Sequence, residues 1–172
     1  MFRPFGLGFA SLGIVTSLAG TASAFERQWH FGGGAGVVVP SGPYELGPAL
    51  GAYGSYGVSD AFDVKLELSL ARSTAEPDVA SLMYGAHAAL AYKLDVIQWI
   101  PYLGVRAGAV GVSDPVAPFE SLSPSVGGIA GVDYAMSRSL GFGLQLSLDY
   151  LLAGEGNQLF GGLITAEYHF GY

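Results

Sequence analysis

Residues 62–71 read FDVKLELSLA, a stretch in which apolar side chains occupy every second position. The charged side chains of Asp63, Lys65 and Glu67 alternate with them. A period of two residues is typical of a β-strand that has one apolar face and one polar face. The stretch therefore predicts a strand, and it raises the question of which face points inward. A soluble protein would bury the leucines, whereas a membrane-spanning barrel would bury the charges.

The composition of the 172-residue chain bears on that question, because the chain is poor in charge. Charged residues make up 12% of it, against about 25% in a typical soluble domain. A soluble surface needs charge, so the deficit argues against a water-exposed exterior. The chain has no cysteine, which excludes disulfides, and its net charge of −7 argues against nucleic acid as a partner.

The N-terminus, residues 1–24, has the organisation of a signal peptide. It carries one early cation, Arg3, followed by an apolar stretch and by the small residues Ala22 and Ala24 on either side of a serine. We expect cleavage after Ala24, which leaves residues 25–172 as a single mature domain. A membrane anchor is the alternative, but the apolar run is interrupted by glycines and is shorter than the roughly 20 residues of a spanning helix.

The period of two recurs along the mature domain and predicts eight strands. They cover residues 28–39, 49–58, 62–71, 82–94, 101–112, 125–136, 140–152 and 159–172. Their connections alternate between short turns and longer segments rich in Pro, Gly and acidic residues, namely 40–47, 73–81, 113–121 and 153–158. An even number of antiparallel strands with this alternation indicates a transmembrane barrel. The predicted fold is therefore all-β, an eight-stranded antiparallel up-and-down transmembrane β-barrel.

Aromatic residues at the ends of the apolar faces favour an inverted arrangement, in which the apolar face of the barrel points outward and the charges point inward. Trp29, Phe62 and Tyr168 lie toward the short turns, and Tyr84 and Tyr150 lie toward the longer loops. Aromatic rings collect at the two interfaces of a bilayer. The opposite face is rich in Gly and Ala, and a small barrel has room inside only for side chains. We therefore expect the charges of residues 62–71 to lie inside, in a lumen filled by side chains, with the leucines against lipid.

Two stretches, GVDYAMSRSLGFGLQLSLDY at 131–150 and AEYHFGY at 166–172, carry a resemblance together with the leader and the alternating strands. The chain resembles the family of small eight-stranded outer-membrane barrels, which includes the protein A-like and protein X-like barrels. The resemblance implies the outer membrane of a Gram-negative bacterium, surrounded by its lipids and lipopolysaccharide. It also implies that Tyr168, Phe170 and Tyr172 form the signal read by the barrel-assembly machinery, although a terminal Phe is commoner than Tyr.

The charged residues of the predicted lumen form a candidate site. Its members are Arg106, Glu67, Glu167, Lys65, Asp133, Asp63 and His87. Counted from the short-turn end of each strand, Arg106 is expected to face Glu67 and Glu167, because a guanidinium can bridge two carboxylates and buried charges need partners. One interpretation is a structural plug. Another is a gate, in which Arg106 changes partner and opens a narrow path for ions or small solutes, as the resemblance suggests.

Catalysis and cofactor binding find less support in the sequence. Some barrels of this family are lipid A deacylases with a His-x-Ser element, but His30, His87 and His169 are not followed by serine at that offset. The stretch HFGGGAGVVVP at 30–40 lacks the glycine spacing of a dinucleotide fingerprint. No histidine pair has metal-ligand spacing along the chain, so no metal and no cofactor are expected. The predicted function is non-enzymatic, structural or in surface interaction, with a narrow channel or a lipid-modifying enzyme as alternatives.

The longer loops carry an excess of acidic residues over Arg72. These residues are Glu45, Glu76, Asp78, Asp114, Glu120 and Glu155. They suit a solvated surface, divalent-cation bridges to lipopolysaccharide, or a basic partner. The sequence does not address the oligomeric state, and a monomer is the default expectation.

Overall fold

The computed structural model describes residues 28–41, 45–76, 79–94, 96, 98–113, 121–153 and 158–170. These residues form eight β-strands. The strands are β1 (Trp29–Pro40), β2 (Gly47–Ser59), β3 (Phe62–Glu76), β4 (Val79–Lys93), β5 (Trp99–Ser113), β6 (Ser121–Ala135), β7 (Leu140–Leu151) and β8 (Gln158–Phe170). In the described part of the chain, no helix is long and apolar enough to cross a membrane.

The strands close into a barrel in which each strand pairs antiparallel with the next along the chain. The last strand returns to the first, with β8 pairing β1 from Trp29↔Phe170 to Pro40↔Leu159. Closure leaves no sheet edge whose backbone groups would need an outside partner. The predicted eight-stranded antiparallel up-and-down barrel is confirmed.

The strands extend further toward the loop end than the sequence predicts. Pairing of β3 with β4 continues to Glu76↔Val79, so most of the stretch 73–81, predicted as a loop, is paired strand. That prediction was wrong because it took a loss of apolar alternation for the end of a strand. Ser and Thr fit a strand well once its outward face no longer has to be apolar.

The apolar face of the strands points outward, as the inverted arrangement requires. Leu66 and Leu68 of β3 are 65% and 64% exposed, whereas Lys65 and Glu67, which alternate with them, are 6% and 7% exposed. Among outward-facing strand residues whose side chains the structure describes, Arg72 near the loop end is the single charged one. The barrel thus has an apolar exterior and a charged interior, the reverse of a soluble barrel.

Outward aromatic side chains pack together near the short turns. Trp29 contacts Tyr56 with ring centroids 4.9 Å apart, and Trp99 contacts Tyr134 at the same separation. The pairs Phe62–Tyr92 and Tyr168–Phe170 lie in the corresponding part of other strands. Tyr84, Tyr150 and Phe160 lie outward toward the loop end. Two aromatic levels with aliphatic residues between them are the pattern of a bilayer-spanning band.

Side chains fill the barrel interior in layers. At the loop end lies an apolar cluster, which we call the loop-end cluster, of Val38, Ala71, Met83, Val110 and Leu159. Charged, polar and aromatic residues fill the rest of the lumen toward the short turns, together with the buried apolar residues Ala89, Ala91, Ile100 and Ile129. Glycines make room for the largest of them: a Cβ on Gly32 would collide with the ring of Tyr53, and one on Gly127 would collide with Asp149.

Candidate functional site

Arg106 on β5 lies at the centre of the lumenal charges. Its Nη1 donates to Oε2 of Glu67 at 2.8 Å, and its Nε donates to Oδ1 of Asp149 at 2.7 Å. Its Nη2 donates to the other oxygen of Asp149, which completes a two-point contact. Glu67 on β3 and Asp149 on β7 come from opposite sides of the closed barrel. The guanidinium therefore ties two opposite walls together through the lumen.

The predicted contact between Arg106 and Glu167 is wrong, and strand register explains why. Arg106 pairs with Gly127, which pairs with Asp149 on the next strand, so these three residues form one row across the sheet. Because Gly127 has no side chain, Arg106 reaches over it to Asp149. Counting residues from the turn end ignores the stagger between tilted strands. Glu167 lies elsewhere, hydrogen-bonded to His169 at 2.7 Å.

A second layer, next to Arg106, is built around Lys65 and Gln145. Lys65 donates to Oε1 of Gln145 at 2.6 Å, and Tyr102 donates to the same oxygen at 3.0 Å. The Gln145 amide donates to Glu67 at 2.9 Å, which connects this layer to the Arg106 contacts. The Lys65 ammonium lies 3.8 Å from the ring centroid of Tyr53 and so gains a cation–π contact. We call Lys65, Gln145, Tyr53 and Tyr102 the lysine layer.

Of the remaining predicted residues, Asp63, Asp133 and Glu167 lie closer to the short turns, whereas His87 pairs directly with Glu67 and lines the space beside Arg106. Asp63 forms an ion pair with Lys93, and Asp133 is 5% exposed. All seven residues of the predicted cluster thus point into the lumen, but they belong to several layers rather than to one site. The predicted cluster did not include Asp149 and Lys93, although the two-residue period of their strands places both on the inward face. It also left out two inward tyrosines of the lysine layer, because aromatic residues were assigned to the lipid-facing surface.

His87 has two polar neighbours that invite comparison with a hydrolase triad. Its Nε2 lies 3.0 Å from Oγ of Ser125 and 3.9 Å from Oδ1 of Asp149. In a catalytic triad the serine and the carboxylate contact different nitrogens of the ring, so that one proton can be taken while the other is held. Here both contacts involve the same nitrogen, and all three side chains are buried. The geometry is that of a hydrogen-bonded interior group.

Two cavities lie on either side of the lysine layer. The larger, about 90 Å³, lies between the loop-end cluster and Arg106, and Met83, Leu159 and Asp149 contribute to its lining. The smaller, about 10 Å³, is lined by residues that include Asp133 and Glu167. Their sizes suit several water molecules and a single one, respectively. Packed side chains of the lysine layer therefore separate the two cavities.

One group of side chains has the composition of a metal site. His30, Glu167 and His169 each offer one ligand atom, and these three atoms lie within 4.8 Å of one another. The two imidazole rings stack with centroids 4.3 Å apart, and all three residues are buried. Spacing along the chain conceals this group, because the histidines meet only where β1 pairs with β8.

The residues predicted as processing and assembly signals lie at the ends of the chain. Tyr168 and Phe170 face outward, 47% and 50% exposed, with ring centroids 4.5 Å apart. Tyr172, and Ala22 and Ala24 of the predicted cleavage site, lie outside the described residues. Of the acidic loop residues, Glu45 is exposed. Asp78, Asp114, Glu120 and Glu155 lie outside the described residues.

Solved structures of small outer-membrane barrels are similar to this chain. Neisserial surface protein A superposes with a TM-score of 0.66 at 17% identity, covering 85% of this chain and 96% of that protein. The outer membrane protein OprG from Pseudomonas aeruginosa gives 0.64 at 13% identity, covering 86% and 97%. Ail, the attachment invasion locus protein of Yersinia pestis, gives 0.57 at 16% identity, covering 84% and 99%.

No family model and no curated protein sequence matches the chain. At these identities the structural likeness establishes the fold, and the predicted resemblance to small eight-stranded outer-membrane barrels is confirmed at that level.

Proposed function

We propose that this chain is an integral protein of the bacterial outer membrane whose sealed barrel is a non-enzymatic scaffold with a structural or surface-interaction role. One observation carries the proposal: an apolar band surrounds a lumen that is closed by ion-paired and hydrogen-bonded side chains. The band supports a membrane location, and the packed lumen supports a role other than transport or catalysis.

The exterior supports a membrane location. Leu103, Val105 and Ile164 are 67%, 67% and 72% exposed, and similar residues surround the barrel. Soluble monomers rarely expose a continuous apolar patch larger than several hundred Å². In a bilayer the same residues lie against acyl chains and the two aromatic levels lie at the interfaces. The structural neighbours agree, since one is named an outer membrane protein and another a surface protein.

The histidines argue against a lipid-modifying enzyme. All three histidines of the chain, His30, His87 and His169, point into the lumen and are at most 6% exposed. A base that acts on a lipid must reach the outer leaflet from the exterior surface of the barrel. The outward strand face described above offers aliphatic and aromatic side chains in the bilayer-spanning band, which supports the non-enzymatic assignment.

The proposed partners follow from the surface. Outer-membrane lipids cover the apolar band, and Arg72, outward and exposed near the loop end, suits the phosphates of lipopolysaccharide. Exposed Glu45 at the same end suits a divalent cation shared with those phosphates. The outward pair Tyr168 and Phe170 remains the proposed signal for the assembly machinery.

The location has a direct test. Expressed with its leader in a Gram-negative host, the chain is expected in the outer-membrane fraction, resistant to extraction by alkaline carbonate. Because a closed barrel stays folded in detergent until heated, the purified protein should migrate differently in gels before and after boiling. A version without residues 1–24 serves as the control and should stay in the cytoplasm. Recovery of the leader-bearing chain in the soluble periplasmic fraction would refute the membrane assignment.

The packed lumen predicts that the protein does not conduct ions. In planar lipid bilayers the folded protein is expected to give no discrete conductance, because the lysine layer separates the two lumenal cavities and the loop-end cluster packs across the lumen beyond them. A sample boiled in detergent before reconstitution controls for nonspecific leakage. Regular single-channel openings from the unboiled sample would instead support the alternative of a narrow channel, with Arg106 and the lysine layer as its gate.

A further inference from the structure

The seam between the first and last strands holds a cluster of ligand atoms that the proposed function does not use. His30 on β1 pairs directly with His169 on β8, and Gly32 pairs directly with Glu167. The three side chains lie on the inward face, where they are 0%, 3% and 5% exposed for His30, His169 and Glu167. Directly opposed residues on antiparallel strands hold their side chains about 5 Å apart, close enough for both to reach one ion.

We propose that His30, Glu167 and His169 form a binding site for one first-row transition-metal ion, with Zn²⁺ as the expected occupant. Two imidazoles and one carboxylate are a frequent protein ligand set for zinc, with a further coordination position left open. Imidazole favours transition metals over Mg²⁺ and Ca²⁺, which prefer oxygen ligands.

The surroundings of Glu167 resemble a second coordination shell. Tyr53 donates to Oε2 of Glu167 at 3.2 Å, which leaves Oε1 facing His169. A hydrogen bond of this kind orients a ligating carboxylate. Glycines flank the carboxylate: Glu167 pairs with Gly32 on one side and Gly141 on the other, and a Cβ on Gly141 would lie 3.5 Å from Nε2 of His169. The site therefore has backbone on both sides where side chains would crowd an ion.

Binding requires a small rearrangement. The three ligand atoms now lie within 4.8 Å of one another, and ligands of a tetrahedral zinc ion lie about 3.3 Å apart for bonds of about 2 Å. The ion would take the place of the hydrogen bond between His169 and Glu167, and the imidazole rings would turn from their stacked arrangement. A proton on the ligating nitrogen would leave to solvent as the metal–nitrogen bond forms.

The charges beside the site suit a cation. The small cavity beside Glu167 is also lined by Asp63 and Asp133, so three carboxylates face the ammonium groups of Lys65 and Lys93 there. The site also lies close to the turn end, because the backbone N–H of His169 donates to the carbonyl of Ser139 in the short turn between β6 and β7.

Occupancy would have a structural consequence. The ion would link β1 to β8, the strands that join the two ends of the chain into a closed barrel. An ion that binds the folded barrel better than the unfolded chain stabilises the folded state by mass action. The site would thus act as a clamp on the closing seam.

The test uses untagged protein extracted from membranes, treated with chelator and titrated with Zn²⁺. We expect saturable binding of one equivalent, with an affinity at least tenfold lower in His30→Gln and His169→Gln. His87→Gln is the matched control, because His87 is a buried lumenal histidine outside the cluster, and it should bind as the unsubstituted chain does. Heat-dependent gel migration identifies which variants are folded.

A second readout needs no substitution. With ¹⁵N-labelled histidine, Zn²⁺ should shift the ring resonances of two of the three histidines and leave the third unchanged. The proposal is overturned if the unsubstituted chain shows no saturable binding, if His87→Gln loses as much affinity as His169→Gln, or if all three histidines shift equally. None of these outcomes bears on the membrane location, which fractionation tests separately.

Discussion

Arg106→Ala is expected to lower the free energy of unfolding of the barrel by about 3–5 kcal/mol. The guanidinium contacts Glu67 from one wall and Asp149 from the opposite wall, and both carboxylates are at most 7% exposed. Removal of the arginine leaves Asp149 without its cation and leaves Glu67 with Lys65 alone, whose Nζ lies 3.5 Å from Oε1. The cost is mainly that of an uncompensated buried charge, which exceeds the value of an exposed ion pair.

Equilibrium unfolding by urea in lipid vesicles measures this loss, and the fluorescence of Trp29 and Trp99 reports it. Both indoles face outward, 52% and 56% exposed, so they pass from lipid to water on unfolding. Arg72→Ala is the matched control, because it removes an exposed outward arginine near the loop end, and it should change stability by at most about 0.5 kcal/mol. A change of less than about 1 kcal/mol for Arg106→Ala would show that water or Lys65 compensates the carboxylates.

A second substitution distinguishes the energy lost with the contacts of Arg106 from the cost of leaving buried carboxylates unpaired. If the cost comes from the unpaired carboxylates, Asp149→Asn in the Arg106→Ala background should restore part of the stability. The same substitution alone should be destabilising, because it removes the two-point contact with the guanidinium. Additive losses in the double variant would mean that packing of the arginine side chain, rather than its charge, stabilises the lumen.

Most of the fold could be predicted from the two-residue period of the apolar side chains. Residues 62–71 predicted a strand, the inward position of Asp63, Lys65 and Glu67, and a lipid-facing row of leucines, all of which the structure contains. Strand ends were predicted less well, because β3 and β4 continue as polar ladders past Arg72. Apolar side chains alternate only where the outward face contacts an apolar medium. The alternation therefore ends at the edge of the bilayer, whereas the hydrogen bonds between the strands continue beyond it.

The sequence predicted which charged residues face the lumen, but it did not predict which of them contact one another. The two-residue period of a strand determines whether a side chain points inward or outward, and it correctly placed Arg106, Glu67 and Glu167 inside. Which inward residues meet depends on the stagger of the strands, and this brought Asp149 rather than Glu167 to Arg106. The contact between His30 and His169 depends in addition on closure of the barrel, which joins residues from the two ends of the chain.

Leu146→Arg is expected to destabilise the folded barrel in lipid vesicles by about 2–4 kcal/mol. Leu146 is 54% exposed on β7, and it lies midway between the outward aromatic residues Phe142 and Tyr150. If this surface contacts acyl chains, the substitution places a cation near the middle of the bilayer, where no water solvates it. On a water-exposed surface the same change would cost almost nothing, so the measurement distinguishes the two environments directly.

Leu152→Arg is the matched control. Leu152 is 63% exposed, which is at least as much as Leu146, but it follows the end of β7 and lies beyond the aromatic level of Tyr150. Near the interface the penalty should fall to about 0–1 kcal/mol. A difference between the two variants therefore reports depth in the bilayer rather than a general cost of arginine. Equal and small effects at both positions would mean that water surrounds the leucines of β7, and the membrane assignment would then be wrong.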